Sequence, residues 1–256
     1  MKMHILSGGR LRLRKSIYLP DAAKGETMEL PVLSFLLRHS QGNVLFDTGC
    51  HPSVFESPEK AEARWGSMAK SIVPIPAPGE NVVDQLRLAG LGAADIDMVV
   101  NSHFHMDHCG CNQLFKKATI VCHERELVAV KQPDAEQKGY LRAEWDHPMP
   151  IETFSGERDL FNDGRIVLVP APGHTPGMTA ALVSLDRSGA FLLASDAVPL
   201  RAVLDRELSP RNNWDADRFT RSMTVLRRIE AGGAKLICGH DAGQWANLKK
   251  GADAYN

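Results

Sequence analysis

The chain has 256 residues, of which 43% are hydrophobic and 24% are charged, a composition typical of a globular protein. Lysine and arginine (30) nearly balance aspartate and glutamate (31), which argues against nucleic acid or an anionic membrane as the partner. The opening MKMHILSGGRLRLRK has no apolar run long enough for a signal peptide, no later run could span a bilayer, and five cysteines do not suggest a disulfide framework. We therefore expect a cytoplasmic protein.

The first predicted elements are two strands and a helix. PVLSFLLRH and GNVLFDTG predict two strands joined by the turn SQGN. Residues 53–80 combine an Ala/Glu-rich piece that is compatible with a helix and the proline-rich VPIPAPGE, which its prolines keep extended, and we interpret the whole segment as a long surface loop. NVVDQLRLAGL then has helical spacing at Val82 and Leu86, with Gly90 as a stop.

The rest of the chain is mainly short apolar runs with one clear helix. Strands are predicted at IDMVVNS, ATIVCH, RIVLVPAPG, TAALVSL, AFLLASD and AKLICGHD. DADRFTRSMTVLRRIEAGG predicts an amphipathic helix that begins at the N-cap Asp215 and ends at Gly232 and Gly233. Its apolar face carries Phe219, Met223, Leu226 and Ile229.

The segment NSHFHMDHCG places three histidines and an aspartate directly after the strand-like run IDMVV. His103 and His105 are two positions apart, so a short extended piece points both imidazoles to one side. The chain turns after His105, so Asp107 and His108 can point toward a second metal position. One zinc ion needs three or four donors, so these four groups begin two metal sites rather than complete one.

Three further donors close apolar runs later in the chain. His174 lies in PGHTPG after RIVLVPAPG, Asp196 ends AFLLASD, and His240 ends AKLICGH. Strand ends that meet at one rim would bring these donors to the first four. Nitrogen-rich donors with a carboxylate suit zinc, with iron, manganese and cobalt as alternatives.

The remaining histidines and the cysteines lack partners at metal-binding spacing. We predict structural or solvated roles for His4, His39, His51, His123 and His147. Cys109 and Cys111 adjoin the motif, but C-x-C alone is a weak signal, and thiols that pack behind the site are the better interpretation. Cys50, Cys122 and Cys238 are predicted core residues.

The sequence resembles the metallo-β-lactamase superfamily, whose HxHxDH signature stands here as HFHMDH, followed by His, Asp and His in the same order. More narrowly it resembles the N-acyl-homoserine lactonases, the quorum-quenching branch, in MHILSGGRLRL, LPVLSFLLRHSQGNVLFDTG, ADIDMVVNSHFHMDHCG, PAPGHTPGM and ICGHD. The resemblance covers nearly the whole chain. It implies that residues 1–256 form a single α/β domain, an αβ/βα sandwich of two mixed β-sheets flanked by helices, with the metals at one edge.

The resemblance also implies a role for each donor. The first metal would bind His103, His105 and His174, and the second Asp107, His108 and His240, with Asp196 bridging both. Asp47, in LFDTG, would support the metal loop from behind the ligands. The lactonases usually have a tyrosine three residues after the bridging aspartate, where SDAVP has Pro199. The tyrosines of this chain, Tyr18, Tyr140 and Tyr255, lie far from this motif in sequence, so either another donor replaces the missing hydroxyl or the metals act alone.

The metal pair and the resemblance together predict a lactone-opening hydrolase, with N-acyl-homoserine lactones as the leading substrate. A hydroxide held by the two metals attacks the ester carbonyl, and Asp107 also passes a proton to the leaving oxygen as the catalytic acid. An apolar pocket would hold the acyl tail. Its candidate residues are Met106, Phe55, Trp65, Met68 and Ile75.

Other functions on the same fold stay open. They include pyridoxolactonase-like cleavage of another lactone and glyoxalase-II-like thioester cleavage, although Arg201 and Arg206 read as solvated rather than as an anchor for glutathione. The balanced charge disfavours RNA processing. A flavodiiron redox protein would need a glutamate near the motif, where Phe104 and Met106 stand. A non-catalytic metal protein is disfavoured because all seven ligand positions are filled.

Dimerisation is common in the lactonase branch, so the resemblance allows a homodimer.

Overall fold

The computed structural model describes residues 1–256 and contains two mixed β-sheets. The strands of the first sheet are β1 (Lys2–Arg14), β2 (Thr27–His39), β3 (Gly42–Phe46), β4 (Val73–Pro74), β5 (Met98–Val100), β6 (Thr119–His123), β7 (Ile151–Phe154) and β13 (Ala254–Tyr255). Their order is β13-β1-β2-β3-β5-β6-β7, and β4 pairs with β1. The second sheet contains β8 (Arg158–Asp159), β9 (Ile166–Pro170), β10 (Thr179–Leu185), β11 (Gly189–Ser195) and β12 (Lys235–Cys238). Its order is β12-β11-β10-β9-β8.

Eight α-helices accompany the sheets. They are α1 (Pro58–Trp65), α2 (Val82–Leu88), α3 (Met106–Cys109), α4 (Glu124–Ala129), α5 (Arg142–Trp145), α6 (Arg201–Asp205), α7 (Ala216–Ala231) and α8 (Ala242–Asn247). None of them is both long and apolar enough to pass through a lipid bilayer.

The two sheets pack face to face around a shared apolar core. Phe35 and Leu37 of β2 point into this core, where they belong to the same buried cluster as Leu168 of β9 and Leu193 of β11. Leu36, which lies between Phe35 and Leu37, points to the opposite face of the first sheet and packs in the cluster that contains α2. Because both faces of β2 are covered, its sequence reads as a continuous apolar run rather than an alternation.

Helix α7 covers the outer face of the second sheet. The Asp215 side chain accepts the Arg218 backbone N–H at 2.9 Å and caps the helix, as the sequence predicted. The buried side chains Phe219, Met223 and Leu226 belong to the same cluster as strands β9 to β12. Each such side chain contributes about 1.5–3 kcal/mol through burial. Helix α7 thus covers the outer face of the second sheet, and α2 packs on the outer face of the first sheet. This arrangement confirms the predicted αβ/βα sandwich.

Strand β1 was not predicted, and it is the longest in the first sheet together with β2. Two glycines interrupt its apolar pattern, and its register against β2 shifts between Ser7 and Gly9. At Gly8 the backbone approaches Gly49 so closely that a Cβ would lie 2.6 Å from the Gly49 Cα. The glycines therefore permit a bulge and a close approach of two backbone segments. They also interrupt the apolar pattern by which a strand is recognised in a sequence.

Residues 53–80 are more ordered than the predicted loop. The Ala/Glu-rich piece forms the helix α1, as its composition allowed, and the extended VPIPAPGE begins with the short strand β4, which pairs with β1. A 3-10 helix at Gly66–Lys70 lies between them. Trp65 anchors the segment, since it is buried and its indole N–H donates to Glu144 at 3.0 Å. Glu144 also forms an ion pair with Arg64 at 2.6 Å. A tertiary anchor of this kind leaves no periodic signal in the sequence.

Candidate metal centre

The seven predicted donors converge at one edge of the sandwich because of the strand directions. Strands β11 and β12 are parallel, so Asp196 and His240, which follow their carboxyl ends, emerge side by side. Strand β10 runs antiparallel to both β9 and β11, so β9 ends at the same edge and is followed by the His174 loop. The HFHMDH segment follows β5 in the facing sheet. Topology therefore assembles donors that are up to 137 residues apart in sequence, from His103 to His240.

Asp196 lies between two groups of donors. Its Oδ1 is 2.9 Å from His240 Nε2 and 3.6 Å from His108 Nε2. Its Oδ2 is 3.3 Å from His174 Nε2. One carboxylate therefore presents an oxygen to each side of the centre, which is the geometry of a bridging ligand.

Each side of the centre has a full set of donors. His103, His105 and His174 place one ligand atom each within 4.8 Å of one another, and His174 Nε2 lies 3.0 Å from His105 Nδ1. On the other side, Asp107 Oδ2 is 3.6 Å from the Nε2 atoms of both His108 and His240. All seven predicted residues thus stand in two adjoining groups.

The donors have the character of metal ligands. The Nε2 atoms of His103 and His108 are buried and have no hydrogen-bond partner, a costly arrangement unless a cation satisfies them. His240 Nε2 and Asp196 Oδ1, 2.9 Å apart, are buried with no partner other than each other. Burial lowers the pKa of His103 and of His105, which keeps these imidazoles in the neutral, metal-binding form. At His108 burial also disfavours the charged form, but the surrounding carboxylates, Asp107 first, outweigh it and raise the pKa to about 10. The same carboxylates would attract a divalent cation, which must displace that proton to bind Nε2. The donor set therefore fits divalent metal ions.

Asp47 lies behind the donors and holds one of them, His108, in place. Its carboxylate accepts the Ser102 backbone N–H at 2.7 Å, the Ser102 hydroxyl at 2.8 Å and the His108 Nδ1–H at 2.8 Å. The Ser195 hydroxyl donates to the same carboxylate at 3.2 Å. Because Nδ1 of His108 is engaged, Nε2 is the atom left for a metal. His240 is held similarly, through Nδ1 and the Pro31 carbonyl at 2.9 Å.

Comparison with known proteins agrees with this geometry. The family model described as the metallo-beta-lactamase superfamily matches residues 27–240. The chain belongs to the metallo-β-lactamase superfamily. The resemblance predicted from HFHMDH and the later donors is thereby confirmed.

Several relatives of this superfamily member are N-acyl homoserine lactonases. The AttM lactonase of Azorhizobium caulinodans is 30% identical over 263 residues, which span 100% of this chain and 99% of that protein. The AttM lactonase of Agrobacterium fabrum is 29% identical, over 100% and 98%. A crystal structure of B. thuringiensis AiiA with N-decanoyl-L-homoserine at its active site superposes with a TM-score of 0.88 at 22% identity, covering 99% and 98% of the two chains. This last likeness confirms the fold.

A cavity of about 850 Å³ opens onto the metal centre. His105, Asp107, His174 and Asp196 lie in its wall. The apolar part of the wall includes Leu11, Leu13, Ile17, Ile72 and Val128. The cavity thus joins a cluster of metal donors to a largely apolar chamber, the usual form of a small-molecule site.

The predicted pocket residues divide into two groups. Met68 and Met106 line the cavity. Phe55, Trp65 and Ile75 lie outside its wall: Trp65 is buried beside Glu144, and the Phe55 ring lies against Gly9, where a Cβ would meet it at 2.3 Å. The sequence could not separate these two groups, since all five are apolar residues near the motif or in residues 53–80.

The other histidines and the cysteines stay outside the donor groups. His123 caps α4 by accepting the Arg125 N–H at 3.1 Å, and His39 pairs with Asp163 at 2.8 Å. All five cysteines are free and buried. Burial raises the pKa of the Cys111 thiol, which donates to the Cys50 carbonyl instead of approaching the donors.

Glu126 is a functional candidate that the sequence interpretation missed. It is fully buried at the start of α4, and its two oxygens each accept one backbone N–H, from Phe104 at 3.2 Å and from Gly177 at 2.9 Å. Phe104 lies between His103 and His105, and Gly177 follows His174 by three residues. One carboxylate therefore ties together the two loops that carry the first donor group. No signal in the sequence indicated this role, because the burial of Glu126 and its two backbone partners arise only in the folded chain.

Replacing Glu126 with glutamine is expected to weaken metal binding at the first donor group by about tenfold. Glutamine has one acceptor oxygen and one NH2 group. One of the two backbone N–H groups would therefore face the NH2 group and stay unpaired, at a cost of about 1–3 kcal/mol. Competition with a chromophoric chelator measures the affinity for each metal. Glu124→Gln, at an exposed position of the same helix, is the matched control. Equal metal affinity in the two variants would exclude this positioning role.

Proposed function

We propose that this chain is a dinuclear metal-dependent hydrolase that opens lactone rings, with N-acyl homoserine lactones as its substrate class. The observation that carries the proposal is the position of Asp196, which stands between two complete donor groups at the end of an apolar cavity. Relatives that match over the full length of both chains are named as N-acyl homoserine lactonases. The AidC structure, a dizinc lactonase with a homoserine product, has the same fold with a TM-score of 0.69 at 17% identity over 94% of this chain and 87% of that one.

The donor set supports zinc as the metal. His103, His105 and His174 would hold the first ion, Asp107, His108 and His240 the second, and Asp196 both. Five imidazoles with two carboxylates suit zinc, with iron, cobalt and manganese as competitors for the same nitrogen-rich site. When bound, two such ions supply a nucleophile from water near neutral pH and polarise an ester carbonyl.

Asp107 is the group placed to move a proton. Its carboxylate borders the cavity and keeps 16% of its side chain exposed, whereas the His108 and His240 side chains beside it are at most 2% exposed. A substrate in the cavity can therefore reach Asp107 but not the imidazoles behind it. We propose that Asp107 accepts the proton released when water adds to the carbonyl and passes the same proton to the leaving oxygen as the ring opens.

The cavity favours an acyl tail over a hydrophilic one, because apolar side chains form much of its wall. Arg201 and Arg206 do not provide an anchor for glutathione, because Arg201 pairs with Glu230 and Arg206 with Asp21. Arg125, Lys138 and Arg211, however, line the cavity. These three cations keep glyoxalase-II-like cleavage of an anionic thioester as the second candidate.

A substrate panel with parallel metal analysis tests the proposal. The purified protein is assayed with a pH indicator against short- and long-chain N-acyl homoserine lactones, simple γ- and δ-lactones, a pyridoxine-derived lactone and S-lactoylglutathione. We expect two metal ions per chain and fastest opening of the acylated lactones, with loss of activity on chelation and recovery on metal addition. Turnover of the thioester alone, or of the simple lactones alone, would contradict the proposed substrate class.

Three further predictions complete the proposal. We propose that residues 1–256 form one domain, because the donors come from both sheets and the sheets share a core. We also propose a small-molecule substrate in place of nucleic acid or membrane, since positive and negative side chains are nearly equal in number. A homodimer is the assembly that the lactonase resemblance suggests, and light scattering of the purified protein tests it.

A further inference from the structure

Tyr18 meets the metal centre although it lies 178 residues before Asp196. It follows the 3-10 helix Lys15–Ile17, and its hydroxyl is 3.4 Å from Asp196 Oδ2. This is the same oxygen that lies 3.3 Å from His174 Nε2. A phenol from the N-terminal part of the chain therefore stands beside the first donor group.

The position of Tyr18 is fixed by its surroundings. Only 4% of its surface is exposed, and it belongs to a buried cluster with Leu13 and Leu30. The backbone before it is tied across the cavity, since the Arg211 N–H donates to the Ile17 carbonyl at 2.8 Å. The ring centroid lies 6.0 Å from that of His240. A donor held this rigidly needs little reorganisation when a ligand binds.

The Tyr18 hydroxyl is not saturated by Asp196. An O–H···O bond is ordinarily about 2.7–2.8 Å long, so a contact of 3.4 Å is weak and readily exchanged. Tyr18 also lines the cavity that opens onto the donors. A ligand that enters the cavity thus meets a neutral hydroxyl donor next to the metal-facing carboxylate. At Pro199, three residues after Asp196, no side-chain donor is present.

We propose that Tyr18 is a catalytic residue whose hydroxyl donates a hydrogen bond to the carbonyl oxygen of the bound lactone as negative charge develops on that oxygen. The proposal rests on the proposed lactone-opening function. Tyr140, the other tyrosine in the cavity wall, packs against the His105 ring at 5.1 Å, and its hydroxyl faces Glu126 and Thr175 rather than Asp196. Tyr18 therefore supplies the hydroxyl that the sequence interpretation found missing.

Tyr18→Phe tests the proposal because it removes one oxygen and preserves the ring. Removing one such donor to a developing oxyanion costs about 10²-fold or more in kcat. We expect a loss of that size for both an N-acyl homoserine lactone and the matching thiolactone, because the two share the carbonyl and differ in the leaving atom. Two metal ions should remain bound. Binding of the uncleavable N-acyl homoserine lactam, which needs no turnover, should weaken up to about tenfold.

The control is Tyr255→Phe, in strand β13 against Phe191 and away from the cavity, which should match the wild type in every assay. Unchanged turnover and lactam binding in Tyr18→Phe would overturn the proposal. A loss confined to the oxygen lactone would also overturn it, since the donor would then serve the leaving oxygen. Loss of a metal ion would show that Tyr18 acts only through Asp196. Failure of the wild type to open lactones would instead overturn the proposed function, and Tyr18's role with it.

Discussion

Asp196→Ala is expected to lower kcat/KM by about 10³-fold or more and to reduce the metal content from two ions per chain to at most one. The Asp196 carboxylate presents one oxygen to each donor group, with Oδ1 at 2.9 Å from His240 and Oδ2 at 3.3 Å from His174. Removal of this carboxylate would leave each metal ion with one ligand fewer. It would also remove several kcal/mol of transition-state stabilisation. Elemental analysis and initial rates on one preparation measure both effects.

His39→Ala is the matched control for this prediction. His39 is the last residue of β2 and lies eight residues after Pro31, whose carbonyl accepts the His240 Nδ1–H. The His39 side chain pairs with Asp163 instead of approaching the donors. This variant should keep two metal ions and the wild-type rate. Full activity of Asp196→Ala in a preparation with one ion or none would exclude a mechanism that needs the metal pair.

Asp47→Asn is expected to weaken binding of the second metal ion by about 10–100-fold and to lower the free energy of unfolding by about 1–3 kcal/mol. The backbone at Asp47 has a φ of +58°, a conformation that asparagine tolerates, so the loop can keep its shape. The amide, however, presents only one acceptor oxygen where the carboxylate receives four hydrogen bonds. His108 then loses the partner that orients its ring, which is the reason for weaker metal binding.

Metal titration and chemical denaturation of the apo and metal-bound forms measure these two effects separately. Asp163→Asn makes the same chemical change at a surface position beside His39 and should change neither quantity. If Asp47→Asn lowered stability but left both metal affinities at wild-type values, Asp47 would have a purely structural role.

Most of the sheet structure was accessible from the sequence because apolar runs report local burial. The runs PVLSFLLRH and RIVLVPAPG became β2 and β9, and the amphipathic pattern became α7 with its Asp215 cap. The donors were accessible for a related reason. A metal ligand must follow a buried strand closely to reach the sheet edge, so HFHMDH, His174, Asp196 and His240 each stand just after an apolar run.

Other features depend on contacts between distant segments and leave no such local trace. Glycines obscured β1, and the anchoring of Trp65 by Glu144 turned a predicted loop into ordered structure. Glu126 looked like any acidic residue near a helix start, yet it joins two loops more than 70 residues apart, at Phe104 and Gly177. Long-range hydrogen bonds of this kind have no periodicity that a sequence pattern could reveal.

The side chains that can bind metal, and their position at strand ends, are predictable from the sequence alone, because residue chemistry and local hydrophobicity are both encoded within a few neighbouring positions. The surroundings of these side chains are not predictable in this way: Met68 lines the cavity while Trp65 does not, and Tyr18 reaches Asp196. Those outcomes follow from the packing of two sheets against each other, which sets distances between residues that are far apart along the chain.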